Sequence, residues 1–513
     1  MTDTAEHDAT GHDQTAQDPG GDDPVEAIGW SSARGGGWTL ADPARRIDPI
    51  PSLHGTLHTD GPRVDRASRD LGRIVYARPS AVLVPGDISD IARMVAYCQR
   101  HDIPVTARGT GHAMHGQALV HRGLVIDMTA LRTIHAIDPT DSGGRVDADA
   151  GTSWSHVVAT AAKHRLAFPC LTGYLDLTVG GTLSVGGISA AYGQGAQIDH
   201  VVRVQVVTGR GEIKWCDAEH NSELGQAVLG GLGQYGIITR VVLDLVPMPQ
   251  RVRTIRLLYT DPATAVAAMT TLVDRGEADE VFCMIFPPGP DTTPAYTVIV
   301  AAFGAPDDLP APSRLLRGLP DPAAPVESED SDYLHHATQY TGPINDAREH
   351  AGWDDMVKPW FDVFLADDDV AGVVSRVIAA MEPADWSPAG GGFVLLFPIL
   401  RDTLTGPQLR LPDPDRHRTD GRPIVFLFDV LDAHPPTDDP AYAQIKVARN
   451  ALWWRDIVEP AGGRRYPIGV LDFGYDDWRR HYGQRWTRVE QLRHRHDPSG
   501  ILATGQAVFG HHY

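Results

Sequence analysis

The sequence has little positive charge and lacks any long hydrophobic run. Its 45 Lys and Arg stand against 66 Asp and Glu, which gives a formal net charge of −21 at pH 7. A protein that binds nucleic-acid phosphates needs a basic surface, so a nucleic-acid partner is not expected. A membrane helix needs roughly 20 apolar residues, whereas the longest good candidate, Phe393 to Leu400, is short and contains a proline. We therefore expect a soluble protein with no membrane partner.

Cysteine is also scarce, and the sequence lacks a cationic start. The four cysteines lie far apart, at Cys98, Cys170, Cys216 and Cys283. They form no C-x-x-C pair, so neither a disulfide framework nor a zinc site is indicated and we expect reduced thiols in the core. The first basic residue after Met1 is Arg34 and no apolar stretch follows it, which is unlike a secretory signal and predicts a cytoplasmic location.

The chain is long enough for about three domains of roughly 150 residues, or for two large ones. Residues 1–23 hold almost no large apolar side chains, so we expect them to be disordered. Order is expected from about residue 73, with strands at Ile74 to Ala77 and Ala81 to Pro85. An amphipathic helix capped by Asp87 or Ser89 follows them.

A glycine-rich loop comes next. It runs from Arg108 to Gln117 between predicted strands at residues 103–107 and 124–128. Backbone N–H groups freed by glycine form a nest for phosphate or pyrophosphate, and the loop lacks the Gly-Lys-Ser/Thr ending of a nucleotide-hydrolysing P-loop. His112 and His115 could instead bind a metal, but the flanking glycines argue against a helix and no carboxylate cluster lies nearby. We predict a phosphate-bearing cofactor and no metal.

Two further segments are rich in glycine. Gly231 to Gly236 is a literal G-x-G-x-x-G, but a dinucleotide fingerprint follows a strand and opens a helix. Here Glu223 to Leu229 has a helical pattern and Ile237 to Leu245 a strand pattern, so we predict a tight turn. In Leu177 to Gly187 dense glycines interrupt a strand-like sequence, which usually means that a ligand or another backbone lies against the chain. Two such loops in one domain indicate a long, flat, anionic ligand.

Four segments, taken in order, resemble a flavoprotein family. They read ARGTGHAMHGQA, YLDLTVGGTLSVGG, VLGGLGQYGIITR and DPSGILATGQAVF, and they are similar to the vanillyl-alcohol oxidase and p-cresol methylhydroxylase (PCMH) superfamily, within it most to the cytokinin dehydrogenases. The resemblance covers roughly residues 77–246 and 478–509. It implies an α+β fold, with a two-subdomain PCMH-type FAD-binding domain and an α+β substrate domain of mainly antiparallel sheet covered by helices. The expected parts are an acidic disordered tail and lead-in (1–50), the FAD-binding domain (51–250), the substrate domain (251–455) and a C-terminal segment that returns to the FAD-binding domain (456–513).

The resemblance also implies a cofactor and its contacts. In that family the His of the G-x-G-H run bonds covalently to the 8α-methyl of FAD, and this position is His112 here. A second link through cysteine is not expected, because Tyr174 occupies its place. The other implied contacts of the pyrophosphate and flavin are Ala107, Gly109, Thr110, Gly111, Ala113, Gln117, Thr178, Ser184, Ile188, Ile238, Tyr466, Ala503 and Gln506.

The substrate side departs from the family pattern. Cytokinin dehydrogenases carry Trp-Thr-Asp-Tyr-Leu before Leu-Thr-Val-Gly-Gly, and that Asp accepts a proton from the substrate amine, whereas Gly173 stands at this position here. Asp176 could substitute if it turns inward, or it could be a solvated or capping carboxylate. A second family carboxylate aligns with Phe282, for which Glu280 could compensate. The candidate catalytic proton acceptors are therefore Asp176 and Tyr466.

These expectations describe an FAD-dependent oxidoreductase with covalently bound flavin. It would remove hydride from a small-molecule, cytokinin-like amine and pass the electrons to oxygen or a quinone-like acceptor. One alternative is an oxidase of a natural-product or sugar alcohol. Another, motivated by Gly173, is a non-redox protein in which flavin is only a structural ligand.

Overall fold

The computed structural model describes residues 28–33, 36–288, 293–386, 392–437 and 439–510. The residues expected to be disordered, 1–23, lie outside these ranges. The chain divides into two compact units, Met1–Ile50 and Pro51–Tyr513. In the first unit the strands β1 (Ile28–Ser31) and β2 (Gly37–Leu40) form an antiparallel pair.

The second unit begins with a four-stranded sheet in the order β3-β4-β6-β5. Its strands are β3 (Thr56–His58), β4 (Ala81–Val84), β5 (Val105–Arg108) and β6 (Leu124–Asp127), with helices α1 (Pro62–Arg66) and α2 (Ile88–Arg100). Strands β4 and β5 both run parallel to β6, and Asp87 caps α2 by accepting a bond from the Asp90 N–H at 3.1 Å. The strand predicted at residues 74–77 is wrong. Only Tyr76 forms an isolated bridge there, because the nearby backbone at residues 71–72 bonds to the glycine loop instead.

A six-stranded sheet follows, in the order β11-β10-β12-β8-β7 with β9 paired to β12. Its strands are β7 (Ile134–Thr140), β8 (Gly143–Asp149), β9 (Leu166–Ala167), β10 (Val201–Val207), β11 (Ile213–Cys216) and β12 (Ile237–Pro247), with helices α3 (Trp154–Ala162), α4 (Val179–Leu183) and α5 (Ser222–Val228). The predicted turn at Gly231 to Gly236 is confirmed, since it joins α5 to β12. The strand-like glycine segment folds instead as the short helix α4, because the Gly180 N–H bonds to the Ala150 carbonyl at 2.8 Å.

An eight-stranded antiparallel sheet forms the other half, in the order β16-β13-β15-β14-β18-β19-β17-β20. Its strands are β13 (Arg251–Tyr259), β14 (Glu280–Phe286), β15 (Ala295–Gly304), β16 (Glu327–Asp332), β17 (Phe361–Ala366), β18 (Phe393–Leu400), β19 (Ile424–Leu431) and β20 (Arg464–Arg465). The accompanying helices are α6 (Pro262–Arg275), α7 (Pro312–Leu316), α8 (Tyr333–Thr338), α9 (Thr341–His350), α10 (Val370–Ala380) and α11 (Pro440–Trp453).

Side-chain alternation gives this sheet two different faces. In β14, Val281, Cys283 and Ile285 belong to a buried core that includes residues of α6 and α10. Glu280, Phe282 and Met284, which alternate with them, line a cavity on the opposite face. Successive side chains of a strand point to opposite faces, so the sheet carries a helix-covered side and a cavity side.

The C-terminal segment returns to the first sheet. After α12 (Tyr475–Tyr482) and α13 (Trp486–His496), the Val105 N–H bonds to the Ile501 carbonyl at 2.8 Å and the Ala503 N–H bonds to the Val105 carbonyl at 2.9 Å. The side chain of Gln234 donates to the Ala503 carbonyl at 2.9 Å. Residues 501–503 therefore lie beside the strand that leads into the glycine loop. All four cysteines are free and buried, as predicted.

Candidate active site

One cavity of about 570 Å³ brings together the residues that the sequence singled out. This volume lies within the range of about 300–1,000 Å³ that is usual for ligand sites. All fourteen residues expected to contact the cofactor line the cavity. The first of them in the sequence is Ala107 and the last is Gln506. The cavity face of the eight-stranded sheet forms its other wall, so the space beside the glycine-rich segments and the space beside this sheet are continuous.

The glycine loop forms one end of the cavity and is fixed from outside. The Leu71 N–H donates to the Gly111 carbonyl at 3.0 Å, and the Gly72 N–H donates to the Ala113 carbonyl at 3.1 Å. Among the described residues, no backbone N–H from Gly109 to Met114 donates a hydrogen bond to the protein. Gly111 has a φ of +78°, a conformation that glycine adopts without strain. A loop that is held by its carbonyls and has free N–H groups fits the pyrophosphate of FAD.

Close packing around Gly109 explains why a glycine stands there. A Cβ at this position would lie 2.1 Å from Oγ1 of Thr178, the residue that precedes α4. The two glycine-rich segments therefore touch each other and line the same cavity. This arrangement supports the interpretation that both segments lie against one long ligand.

His112 is half-buried and lies among aromatic rings. Its ring is stacked on Tyr174 with centroids 5.2 Å apart, and the rings of Trp353 and Trp360 lie at 6.1 and 5.9 Å. Burial, followed by the nearby positive charges of Arg348 and Lys358, lowers the pKa of His112 to about 3. The imidazole is therefore neutral at physiological pH. A neutral imidazole has a free lone pair and is a competent nucleophile.

Tyr466 and Gln117 connect the C-terminal segment to this end of the cavity. The Gly187 N–H donates to the hydroxyl of Tyr466 at 3.2 Å, and burial raises the pKa of that hydroxyl above its usual value. Gln117 donates to the carbonyls of Pro467 and Ile468, each at 3.3 Å. The Tyr466 hydroxyl is therefore neutral and is fixed beside the segment Leu177 to Gly187, the second glycine segment of the cavity wall.

Two known families match successive parts of this chain. Residues 79–217 match the family described as FAD binding domain, and residues 328–509 match the family described as cytokinin dehydrogenase 1, FAD and cytokinin binding. Cytokinin dehydrogenase 10 of Oryza sativa subsp. japonica is 30% identical over 505 residues, which cover 88% of this chain and 88% of that protein. The chain belongs to the cytokinin dehydrogenase family.

Other relatives agree with this assignment. Cytokinin dehydrogenase 2 of Arabidopsis thaliana is 27% identical over 90% of this chain and 95% of its own length. An uncharacterized oxidoreductase in the fasciation locus of Rhodococcoides fascians is 29% identical over 88% of this chain and 99% of its own length. The expected α+β fold with an FAD-binding part and a small-molecule-binding part is confirmed, and the protein is a flavin-dependent oxidoreductase. Among the described residues, no helix has the length and apolar character needed to cross a bilayer.

The position of the family's catalytic Asp is open in this chain. Gly173 lines the cavity, and the nearest atom to a Cβ added there would be Cδ2 of Tyr340 at 3.7 Å. This is ordinary van der Waals contact, so a Cβ would fit there without displacing a neighbour. The chain therefore lacks this carboxylate, and no neighbouring side chain among the described residues occupies the space directly beside Gly173.

Asp176, the first sequence candidate for a proton acceptor, does not line the cavity. Its carboxylate accepts hydrogen bonds from the Ser155 hydroxyl and from Nδ2 of Asn345, the latter at 2.7 Å. Asn345 in turn accepts a bond from the Tyr174 hydroxyl at 2.8 Å. Asp176 is therefore connected by hydrogen bonds, through Asn345, to Tyr174, the residue stacked on His112.

The second family carboxylate is replaced by an aromatic contact. Phe282 is stacked on Phe397 with centroids 5.6 Å apart, and both line the cavity. Glu280 also lines the cavity, but its carboxylate lies 2.7 Å from Nε2 of His336. Two more carboxylates line the cavity that the sequence analysis did not single out, Asp362 and Asp429. The only sequence signal for them is one acid within each otherwise apolar strand, β17 and β19.

Proposed function

We propose that the protein oxidises a small, largely apolar amine of the cytokinin type, using FAD bound covalently through His112. The observation that carries this proposal is the continuity of one cavity, which joins the free N–H groups of the glycine loop to the apolar face of the eight-stranded sheet. In this proposal residues 51–250 and 456–513 hold FAD and residues 251–455 hold the substrate. When bound, FAD supplies the two-electron redox chemistry.

The chain's own residues have distinct roles in this proposal. The N–H groups of Gly109 to His112 bind the pyrophosphate, and neutral His112 forms the covalent bond. Tyr466 holds the flavin wall through its bond with Gly187. Asp176 keeps Tyr174 in place against the His112 ring. The electrons then pass to oxygen or to a quinone-like acceptor.

The character of the substrate wall favours an apolar amine over a sugar alcohol. The cavity-facing residues of the sheet are mostly aromatic and aliphatic: Phe282, Met284, Phe393, Leu395, Phe397, Leu427 and Leu431. A sugar carries many hydroxyl groups, and each buried hydroxyl needs a hydrogen-bond partner to offset its desolvation. This wall offers few such partners.

Acid precipitation tests the covalent bond. The wild-type protein should give a yellow pellet, and the His112→Ala variant should give a colourless one because its flavin is released on denaturation. His115→Ala is the matched control, since His115 is half-buried in the same loop but does not line the cavity; its pellet should stay yellow. A colourless wild-type pellet would refute the covalent link.

Anaerobic mixing tests the substrate class. Isopentenyladenine should bleach the flavin absorbance, and a panel of natural-product and sugar alcohols should bleach it more slowly. Bleaching by any compound rules out a purely structural flavin. Bleaching by alcohols alone would replace the amine by an alcohol as the substrate.

A further inference from the structure

A row of four residues crosses the substrate wall of the cavity. Met284 pairs with Leu395, Leu395 with Asp429, and Asp429 with Asp362, through the register of β14, β18, β19 and β17. All four side chains line the cavity. The strand pairing therefore places two carboxyl groups side by side at the end of an otherwise apolar row.

These carboxyl groups are buried and incompletely paired. Asp362 is 2% exposed and Asp429 is 6% exposed, and the two side chains hydrogen-bond to each other. Oδ2 of Asp362 and Oδ1 of Asp429 have no hydrogen-bond partner. Buried polar atoms are almost always paired in native proteins, so two free acceptors at one site require an explanation.

Neither of the nearby ionisable side chains bonds to the two carboxyl groups. The guanidinium of Arg465, on the adjacent strand β20, donates to the Gly469 carbonyl at 3.1 Å and lies 4.8 and 4.7 Å from the ring centroids of Phe473 and Trp478. Asp432, which follows β19, lies 2.5 Å from Arg449. Within the part of the chain that the structure describes, the two carboxyl groups are therefore hydrogen-bonded only to each other, beside a cavity that both residues line.

The two acids also lie close to the proposed flavin end. The backbone N–H of Tyr466 donates to the Asp362 carbonyl at 3.0 Å, and the Tyr466 hydroxyl accepts the bond from Gly187 in the second glycine segment. One residue thus connects the carboxyl pair to the wall assigned to the flavin. Of the three carboxylates that line the cavity in the described part of the chain, Glu280 is bonded to His336, and the other two are bonded to each other.

We propose that the Asp362–Asp429 pair binds the N–H group of the substrate and accepts its proton, in place of the carboxylate that Gly173 lacks. The proposal rests on the proposed function, in which the amine is oxidised by FAD. The substrate's C–H bond breaks and its electron pair leaves as hydride to the oxidised flavin. The N–H bond breaks and its proton moves to a carboxylate oxygen of the pair, and a C=N bond forms, so that atoms and charge balance.

The protonation of the pair suits this role near neutral pH. Burial raises the pKa of Asp429 to about 7. Burial, followed by the charges of Asp429 and Asp432, raises the pKa of Asp362 well above its usual value, against the opposing charge of Arg465. Below about pH 7 both acids are protonated, and above it the pair holds one proton and one negative charge. The basic form therefore appears as the pH rises.

The experiment compares wild type with Asp362→Asn, Asp429→Asn and the double variant. Anaerobic flavin reduction by the reactive amine is followed against pH. The wild-type rate should rise through an inflection near pH 7. Burial is the largest cause of both raised pKa values and remains in each single variant, so the inflection should persist in both single variants. The double variant should lose about 100-fold or more of the rate, the usual contribution of a general base, while surface Asp138→Asn should match wild type.

Infrared spectroscopy gives a second readout that needs no variant activity. In the wild-type protein without substrate, a protonated-carboxyl C=O band should titrate near pH 7, and the band should grow when substrate reduces the flavin. The proposal would be overturned if an amine reduces the wild-type protein but the C=O band neither titrates near pH 7 nor grows on reduction. A double variant with the wild-type rate and pH profile would also overturn it. In both cases the proposed function stands. If no amine or alcohol reduces wild type, the proposed function fails and this proposal fails with it.

Discussion

Replacing Gly109 by alanine should weaken both the fold and the cofactor site. The added Cβ would lie 2.1 Å from Oγ1 of Thr178 and 3.1 Å from its Cβ and Cγ2. Thr178 is 4% exposed, so it has little free space into which to turn. Inserting one methyl group into a packed site of this kind costs about 1–3 kcal/mol, and the shift of the loop would also displace the N–H groups that we propose bind the pyrophosphate. We expect a thermal unfolding midpoint several degrees lower and less flavin per polypeptide.

A double-mutant cycle separates this clash from a general effect of the methyl group. Thr178→Ala removes the two atoms Oγ1 and Cγ2, so Gly109→Ala should cost less in that background than in wild type. Gly193→Ala is the matched control, because a Cβ at Gly193 meets no atom within 4 Å, and it should keep the wild-type midpoint and flavin content. Full flavin occupancy in Gly109→Ala, or strictly additive effects of the two substitutions, would refute the reasoning.

Three further predictions concern the substrate side and the thiols. Gly173→Asp should change the rate of flavin reduction by isopentenyladenine by less than about tenfold, because the pair on the sheet already supplies the base; a stopped-flow rate that rises by the 10²–10⁴-fold typical of a newly added general base would show that wild type lacks one and would contradict the role of the pair. Asp176→Asn should leave the pH inflection of that reduction in place, because its carboxylate does not line the cavity; a lost inflection would identify Asp176 as the base. A thiol reagent at about pH 8 should react with none of the four cysteines before unfolding and with all four afterwards, because they are buried and burial raises the pKa of Cys170 to about 12 and of Cys216 to about 11; any thiol that reacts in the folded protein would contradict the buried core.

The parts of the site that were predictable from the sequence are those encoded in one continuous segment. The helix Ile88–Arg100 follows from its Asp87 cap and its periodic apolar face, and the glycine loop follows from the spacing of its glycines. Asp362 and Asp429 could not be found in this way. Each is a single acid within an apolar strand, and only the pairing of β17 with β19 brings them together.

Asp176 is a second example of a feature that the local sequence does not predict. Its closeness in sequence to Gly173 makes it a candidate to replace the missing carboxylate. The groups that bind it, Ser155 on α3 and Asn345 on α9, come from distant parts of the chain. A side chain's direction at such a place depends on tertiary partners, which local patterns do not contain.

The pairing of residues 501–503 with Val105 has a consequence for biosynthesis. The strand that leads into the glycine loop is made early, but the wall that encloses the cofactor is completed only by residues near 506. While these residues are still inside the ribosome, a chain that already holds every glycine of the loop has an open cofactor site. Under the proposed covalent link, flavin attachment would therefore follow synthesis of both large sheets, and chains that end before residue 501 would remain colourless.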